Sequence, residues 1–242
     1  MGLGYNKTYY IQGQMFIAED DCSVEWLTSI CNLIVAQGRI PDDWRSSILL
    51  PVFKWKGDPI ECGSYRAIEL LEHVMKVIER VFERRIRVKV KIDAMQFGFV
   101  PGKGTTDAIF SVRQMQEKYG CKTKKLYFDF VDFEKAFDIV PRGVTRCALR
   151  KAGVDEWLVN AVVGMYEGAQ TVVRTTEGDS KAFSVKVGLH QGSVLSPLLL
   201  VIVMEMISRE LRAGLPLELL YTDALISMAE SEEKGKGKGA YT

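Results

Sequence analysis

The sequence has few of the residues that build metal–thiolate sites. It contains two histidines, and its five cysteines lie far apart without a Cys-x-x-Cys pair. A zinc site is therefore not expected, and an odd, scattered set of cysteines is typical of a reducing compartment. The cysteines are Cys22, Cys31, Cys62, Cys121 and Cys147.

Long apolar runs are also missing. The longest, Leu198–Met204, ends at Glu205, whereas a membrane-spanning helix needs about 20 apolar residues. The first residues, MGLGYNK, contain no apolar signal segment, and position 6 lacks the Ser or Thr of a myristoylation motif. We therefore expect an intracellular protein, nuclear or cytoplasmic, with no membrane partner.

An excess of charge of either sign is absent as well. The net charge is +1, so a polyanionic partner would have to be bound by local basic patches. With 47% hydrophobic and 26% charged residues, the composition is that of an ordinary globular protein rather than a disordered one. The 242 residues suffice for one large domain or two small ones.

The most informative stretch is Leu126–Arg142, which reads LYFDFVDFEKAFDIVPR. Its first part, Leu126 to Phe133, is dense in aromatic and β-branched residues and predicts a buried strand. A helical pattern begins at Glu134 and ends at Pro141.

Acidic residues interrupt this strand, and a buried carboxylate is costly unless it is paired or binds a metal. Asp132 falls at the strand end, where a metal could reach it, and Asp129 points to the opposite face because strand residues alternate. A third acid, Asp138, follows. The alternative is that Asp132 is simply a strand-terminal acid facing water.

Periodicity and turn residues predict the remaining elements. Helices are expected from Cys22 or Ser23 to Gly38, at about Leu70–Val90, after the Gly-rich loop Phe97–Gly104 with Thr105 or Thr106 as its cap, at about Gly143–Ala152 and Asp155–Tyr166, and over Pro197–Arg212. Strands are expected at Ser47–Phe53, in a hairpin of Gln170–Thr175 with Ala182–Val187, and in a second hairpin of Leu217–Leu220 with Leu225–Met228. The segment from Ser231 is of low complexity and predicts no packed structure.

The second helix carries many basic residues on one face. Such a face is usually solvated, and the alternative is that it contacts a phosphate backbone. The basic residues are Lys76, Arg80, Arg84, Arg85, Arg87, Lys89 and Lys91, against Glu72, Glu79 and Glu83.

The tip of the second hairpin, Tyr221-Thr222-Asp223-Ala224, contains a further acid. Mg²⁺ needs one or two carboxylates and takes its other oxygens from phosphates and water. If Asp132 and Asp223 lie on neighbouring strands, they could hold two ions about 3.5–4 Å apart, the spacing used for displacement at phosphorus.

Six blocks, in order, resemble the reverse transcriptases of non-LTR (LINE-type) retrotransposons. They read PDDWRSSILLPVFKWKGD, CGSYRAIELL, QFGFVPGKGTTDAIF, FVDFEKAFDIVPR, VGLHQGSVLSPLLL and LLYTDALISMAE, and they extend from about Val24 to Glu233. The resemblance implies an α+β fold of polymerase-type fingers and palm, with an antiparallel palm sheet backed by helices. It divides the chain into an unassigned segment 1–21, fingers with part of the palm at 22–125, the palm at 126–230, and a tail at 231–242.

The resemblance also implies RNA-directed DNA synthesis with two Mg²⁺ ions, an RNA template, a DNA primer and deoxynucleoside triphosphates. Asp132 and Asp223 match the catalytic, metal-binding acids of the family, and the Phe133 carbonyl is a further oxygen ligand for the metal. The oligomeric state is not implied.

Other matching positions concern the nucleotide and the duplex. Arg66 and Lys54 match finger residues that bind the incoming triphosphate. Phe137 matches a bulky gate that would clash with a ribose 2′-OH. Gln191 and Gly192 match the turn beside the template and nascent base pair, with Gln191 reaching the nucleotide. Tyr221 falls at a template–primer position.

The chain departs from the family pattern at three positions. Ala224 replaces the second hairpin acid, Val100 replaces the usual Arg of the finger loop, and Asp129 stands where a small or apolar residue is expected. The chain is also expected to lack thumb helices and an endonuclease region. Ala224, Val100 and the missing thumb support a rival hypothesis, a degenerate and catalytically inactive remnant with at most weak nucleic-acid binding. A third hypothesis is a core that does not stay folded without its thumb.

Overall fold

The computed structural model describes residues 21–212 and 217–230. The helices are α1 (Asp21–Gln37), α2 (His73–Lys89), α3 (Thr105–Gly120), α4 (Ala136–Ile139), α5 (Arg142–Lys151), α6 (Glu156–Gly164) and α7 (Ser196–Arg212), with 3₁₀ turns at Asp42–Arg45 and Cys62–Ser64. The strands are β1 (Ser46–Phe53), β2 (Tyr65–Leu70), β3 (Tyr127–Asp132), β4 (Gln170–Thr175), β5 (Gly178–Asp179), β6 (Phe183–Ser184), β7 (Leu217–Tyr221) and β8 (Ala224–Ala229). Every long helix and the second hairpin predicted from the sequence are confirmed. In the first hairpin, β4 pairs antiparallel with the returning chain as predicted, but the expected strand Ala182–Val187 is reduced to Phe183–Ser184, and the short strand β5 lies between the two. The predicted tail at 231–242 lies outside the described residues.

The strands form two sheets. In the first, β1 lies between β2 and β4, and β4 also pairs with the short strands β5 and β6. All of these pairings are antiparallel except β1 with β4, and this sheet joins strands from both sides of residue 125. The second sheet is antiparallel with the order β3-β8-β7. The α+β class with an antiparallel sheet backed by helices is therefore confirmed.

The main core is helical and centres on α7. The first turns of this helix are apolar on every side, and each residue from Leu198 to Val203 is at most 2% exposed. Helix α5 packs on α7, while α6 contacts α1, α2 and α5. At the α6–α1 contact, a Cβ on Gly164 would lie 2.0 Å from the Gly38 carbonyl oxygen, so only glycine allows the approach.

A smaller core supports the second sheet. Ala108 of α3 packs with Leu219 of β7, Met228 of β8 and Phe97 from the loop before α3. This cluster fixes α3 against one face of the sheet, close to the hairpin that joins β7 to β8.

Two local predictions are wrong. β3 is not a buried strand, because it lies at the edge of its sheet, with β8 as its neighbour in the strand order. Phe130 is 68% exposed, and Asp129 is exposed too, which explains how the strand tolerates this acid.

The second concerns the start of α3. Its N-cap is Gly104 rather than Thr105 or Thr106, because the Asp107 carboxylate accepts the Gly104 N–H at 2.7 Å. The Thr105 hydroxyl instead hydrogen-bonds the Tyr221 hydroxyl at 2.9 Å.

No helix in residues 21–212 is long and apolar enough to cross a membrane.

Replacing Leu199 by alanine should lower the free energy of unfolding by about 2–5 kcal/mol, because a fully buried leucine leaves a cavity that the core cannot refill. Ile207→Ala, on the same helix but 38% exposed, is the matched control and should cost clearly less. Urea denaturation of both variants measures the difference. Equal losses would contradict the placement of α7 in the core.

Candidate active site at the end of the antiparallel sheet

Strand pairing brings Asp132 and Asp223 close together along the backbone. In the β3–β8 register, Asp132 lies opposite Ala224. One residue further, the Phe133 N–H donates to the Asp223 carbonyl oxygen at 3.2 Å. Asp132, which ends β3, and Asp223, in the turn between β7 and β8, are therefore backbone neighbours at one end of the sheet. Asp132 is exposed and Asp223 is half-buried, so this end is open to solvent.

The donors at this end are hard oxygen ligands, which suit Mg²⁺. They are two carboxylates and the Phe133 carbonyl, which accepts a 3.3 Å hydrogen bond from the Ala136 N–H and has a second lone pair. The described residues contain no cluster of three or more His, Cys, Asp or Glu that could hold a metal. A pair of carboxylates still fits Mg²⁺, because phosphates and water complete its octahedron.

The Gln191-Gly192 turn lies against β2. The Glu69 N–H donates to the Gln191 carbonyl oxygen at 2.6 Å. Gly192 has φ +120°, and a Cβ there would lie 2.4 Å from the Glu69 carbonyl oxygen, so the position requires glycine. Arg66, on the same strand β2, thus shares a structural unit with this turn.

The same loop also contacts the segment that follows Asp132. The Leu189 N–H donates to the Phe137 carbonyl oxygen at 2.7 Å, and the Gln191 side-chain amide donates to Asp138 at 2.7 Å. Residues 188–192 therefore connect β2 to the chain immediately after β3. Sequence reasoning noted Asp138 as an acid but missed this role, which no local pattern signals.

Phe137 is half-buried beside a finger-loop aromatic residue. Its ring meets the Phe99 ring edge-on, with centroids 6.4 Å apart. Phe99 is 49% exposed and has φ +52°. The bulky residue expected at this place is thus supported from the FGFVPGKG loop.

Lys54 and Arg66 lie on the hairpin of β1 and β2, in the other sheet from the two acids. Arg66 pairs with Val52 and is exposed. Lys54 follows β1, is exposed, and donates its ammonium group to the Gly63 carbonyl oxygen at 3.0 Å. Both cations remain open to solvent, as a phosphate-binding role needs.

Tyr221 ends β7 just before the hairpin turn. It is half-buried, and its hydroxyl bonds Thr105 at the start of α3. This contact ties the hairpin to the Gly-rich loop and helix.

Partners within the protein engage several residues of the basic face of α2. Arg80 and Arg87 both pair with Glu83, and Lys89 lies 3.3 Å from Asp155. The Arg85 guanidinium lies 5.5 Å from the centroid of the Trp157 ring. These contacts favour the structural interpretation of this face over the phosphate-binding one.

A buried group of titratable side chains lies behind the Gln191-Gly192 turn. Burial raises the pKa of Glu69 to about 7, and the Arg142 charge opposes that rise. Burial and then the Arg142 charge lower the pKa of His190 to about 4. The His190 ring nitrogen and the Glu69 carboxylate are 3.9 Å apart, and the Tyr166 ring lies 4.6 Å from the His190 ring.

The chain belongs to the reverse transcriptase (RNA-dependent DNA polymerase) family, whose model matches residues 54–240. It is distantly related to the polymerases of non-LTR retrotransposons, which confirms the resemblance seen in its motifs.

Two curated relatives illustrate the distance. The chain is 25% identical to the Pol polyprotein of a type-1 R2 retrotransposable element of Nasonia vitripennis, over 86% of this chain and 21% of that protein. It is 28% identical to the RNA-directed DNA polymerase of the mobile element jockey of Drosophila melanogaster, over 74% of this chain and 20% of that protein. The chain thus spans about a fifth of the length of these relatives.

A solved structure shows the same fold. The chain superposes on apo telomerase of Candida tropicalis, truncated from its C-terminal domain, with a TM-score of 0.58 and 13% identity. The match covers 87% of this chain and 50% of the telomerase chain.

Substituting Glu69 and His190 should change the pH dependence of stability in opposite directions. The folded state holds the Glu69 proton up to about pH 7, whereas the ordinary pKa of a glutamate is 4.5. The contribution of Glu69 to the free energy of unfolding is therefore lost as pH rises through that window. The pKa of His190 is lowered from 6.5 to about 4, so its contribution to the free energy of unfolding is lost as pH falls through that range.

Relative to the parent, Glu69→Gln should therefore gain unfolding free energy with rising pH, by up to about 1.4 kcal/mol per pH unit. The free energy of unfolding of His190→Gln, relative to the parent, should fall with rising pH at a similar slope. Urea melts from pH 4 to 8 measure both slopes, and the double variant is the control, since the two effects should largely cancel. Slopes of the same sign would show that the pair does not titrate in this way.

Proposed function

We propose that this chain is the RNA-directed DNA polymerase core of a retrotransposon, transferring deoxynucleotides to a primer 3′-OH. The observation that supports this most is the β3–β8 register, which puts Asp132 and Asp223 at one solvent-open sheet end within a reverse transcriptase fold. In this proposal residues 22–125 form the fingers with part of the palm, and residues 126–230 form the palm.

Asp132 and Asp223, with the Phe133 carbonyl, would hold two Mg²⁺ ions. When bound, such ions activate the attacking 3′-oxygen and stabilise the leaving pyrophosphate oxygen in an in-line displacement at the α-phosphate. The protein's own part is to fix one carboxylate at the end of β3 and the other in the adjoining turn between β7 and β8.

The other residues orient the nucleotide and the template. Arg66 and Lys54 donate charge-assisted hydrogen bonds to the triphosphate. The Phe137 ring, supported by Phe99, excludes a ribose 2′-OH by its bulk. The template and nascent base pair lie along Gln191-Gly192, where the glycine lets the turn sit close to β2.

The proposed partners are an RNA template, a DNA primer and deoxynucleoside triphosphates, and the proposed site of action is inside the cell, nuclear or cytoplasmic. Related folds support the nucleic-acid partners, since a structure of Candida tropicalis telomerase contains a fragment of telomeric RNA. The rival hypothesis, an inactive remnant, is favoured by one specific observation: the position opposite Asp132 is Ala224 rather than a second hairpin acid.

Neutralising either Asp132 or Asp223 should strongly slow primer extension. Asp132→Asn and Asp223→Asn should each lower the rate at least 100-fold on an RNA template with Mg²⁺, which is about 2.7 kcal/mol of barrier. Asp129→Asn is the matched control, because Asp129 lies on the same strand, is exposed, and pairs with Ser227 away from the hairpin turn.

The control variant should extend the primer at the parent rate. If Asp223→Asn also keeps the parent rate, Asp223 is not a metal ligand. If neither the parent chain nor any variant extends a primer even when a thumb is supplied, the remnant hypothesis is correct.

Restoring an acid by Ala224→Asp should make stability depend on metal. Position 224 faces Asp132 directly, so the new carboxylate would repel it without a cation and share a cation with it when one is present. Thermal melts should show a lower Tm than the parent in EDTA and a larger rise with Mg²⁺.

Ser227→Asp places the same charge opposite Asp129 and is the matched control, with no gain from Mg²⁺ beyond that of the parent. The extension rate of Ala224→Asp should rise by one to two orders of magnitude, or roughly 1.4–2.8 kcal/mol. If the Tm of Ala224→Asp does not change with Mg²⁺, the assignment of this sheet end as the metal site is contradicted.

A further inference from the structure

The turn that carries Asp223 rests on a buried side chain from a distant part of the chain. Gln96 is 1% exposed, and its side-chain oxygen accepts two backbone hydrogen bonds. One comes from the Thr222 N–H at 3.1 Å and the other from the Gly98 N–H at 2.9 Å. Thr222 is the residue immediately before Asp223.

The segment around Gln96 is itself attached to β7. The Phe97 N–H donates to the Leu220 carbonyl oxygen, and the Leu220 N–H donates to the Met95 carbonyl oxygen, both at 2.9 Å. Gln96 and Leu220 form a parallel bridge. The segment therefore extends the sheet beyond β7 and cannot move independently of the hairpin.

The turn is also held by close packing. A Cβ on Gly98 would lie 2.1 Å from the Thr222 hydroxyl oxygen and 2.4 Å from its backbone nitrogen, so the two backbones touch. Thr222 adopts φ +56°, a left-handed conformation that costs a β-branched residue energy and needs support from its surroundings. The Gln96 hydrogen bond to Thr222 supplies such support.

The opposite side of the turn is fixed by β3, through the Phe133 N–H and the Asp223 carbonyl oxygen. The turn is thus held between Gln96 on one side and the strand of Asp132 on the other. We infer that Gln96 is a positioning residue, which sets where Asp223 stands relative to Asp132. This inference rests on the proposed function for its catalytic consequence.

The chemistry of the contact allows a matched pair of variants. Both hydrogen bonds use the side-chain oxygen as acceptor, while the Gln96 amide nitrogen has no partner among the described residues. Gln96→Glu keeps an acceptor oxygen at the same length and replaces the unpartnered N–H donor with a second carboxyl oxygen. The charge that this carboxyl carries when ionised would favour cation binding rather than weaken it. Gln96→Met has a similar length but no comparable acceptor.

Three measurements on the full chain test the inference. Hydrogen exchange of the Gly98 and Thr222 amides should accelerate in Gln96→Met and stay slow in Gln96→Glu. Mn²⁺ binding, followed by water-proton relaxation, should weaken about 10–100-fold in Gln96→Met, as is typical for residues that orient metal ligands. In primer extension, kcat should fall in Gln96→Met while KM for the nucleotide stays near the parent value, and Gln96→Glu should match the parent.

Two further variants separate positioning from stability. Val159→Ala removes buried apolar volume in the helical core, away from the hairpin, and should lower Tm without changing Mn²⁺ affinity. If Gln96→Met does not fold, Gln96→Asn replaces it, because its shorter side chain cannot reach both N–H groups.

The inference is overturned if the acceptor-lacking variant, Gln96→Met or Gln96→Asn, binds Mn²⁺ as Gln96→Glu does, or if Val159→Ala weakens Mn²⁺ binding equally. It is also overturned if the parent binds no Mn²⁺. A further outcome separates the two proposals: no variant extends a primer, while amide hydrogen exchange and Mn²⁺ binding change only when the acceptor is removed. In that case Gln96 positions Asp223, and the proposed polymerase activity is wrong.

Discussion

The pairing of β3 with β8 is the constraint on which the candidate site depends. Asp132 and Asp223 are 91 positions apart in the sequence, and only the antiparallel register makes them neighbours. A shift of one residue would turn every side chain of β8 to the other face of the sheet. The hydrogen bond from the Phe133 N–H to Asp223 fixes the last step of that register, where the strands give way to the turn.

The helical core stabilises this register even though β3 is an edge strand. β3 is exposed along much of its length and contributes little burial of its own. The segment that follows it compensates, because Ala136 and Val140 are buried in the main core with α7. The loop 188–192 then joins that segment to β2. The end of β3 is thus anchored by what comes after it rather than by its own side chains.

Much of the fold, including the positions of Asp132 at a strand end and Asp223 in a hairpin turn, could be predicted from local patterns. The 3.6-residue period of apolar side chains predicted α2 and α7, and the apolar strands on either side of Tyr221-Thr222-Asp223-Ala224 predicted the second hairpin. Both signals could be read from the sequence because each arises within one local segment. What could not be predicted depends on how distant segments meet. The edge position of β3 follows from strand order, and the Asp138–Gln191 contact follows from where a loop folds back.

The central claim is that Asp132 and Asp223 form one metal site. A crystal structure with Mn²⁺, primer–template and a deoxynucleotide tests it most directly, because anomalous scattering locates the ion independently of the protein atoms. We expect anomalous density between the two carboxylates, as one peak or as two peaks about 3.5–4 Å apart. Carboxylates more than about 8 Å apart, or density bound elsewhere, would contradict it, since such a gap is too wide to bridge a metal pair.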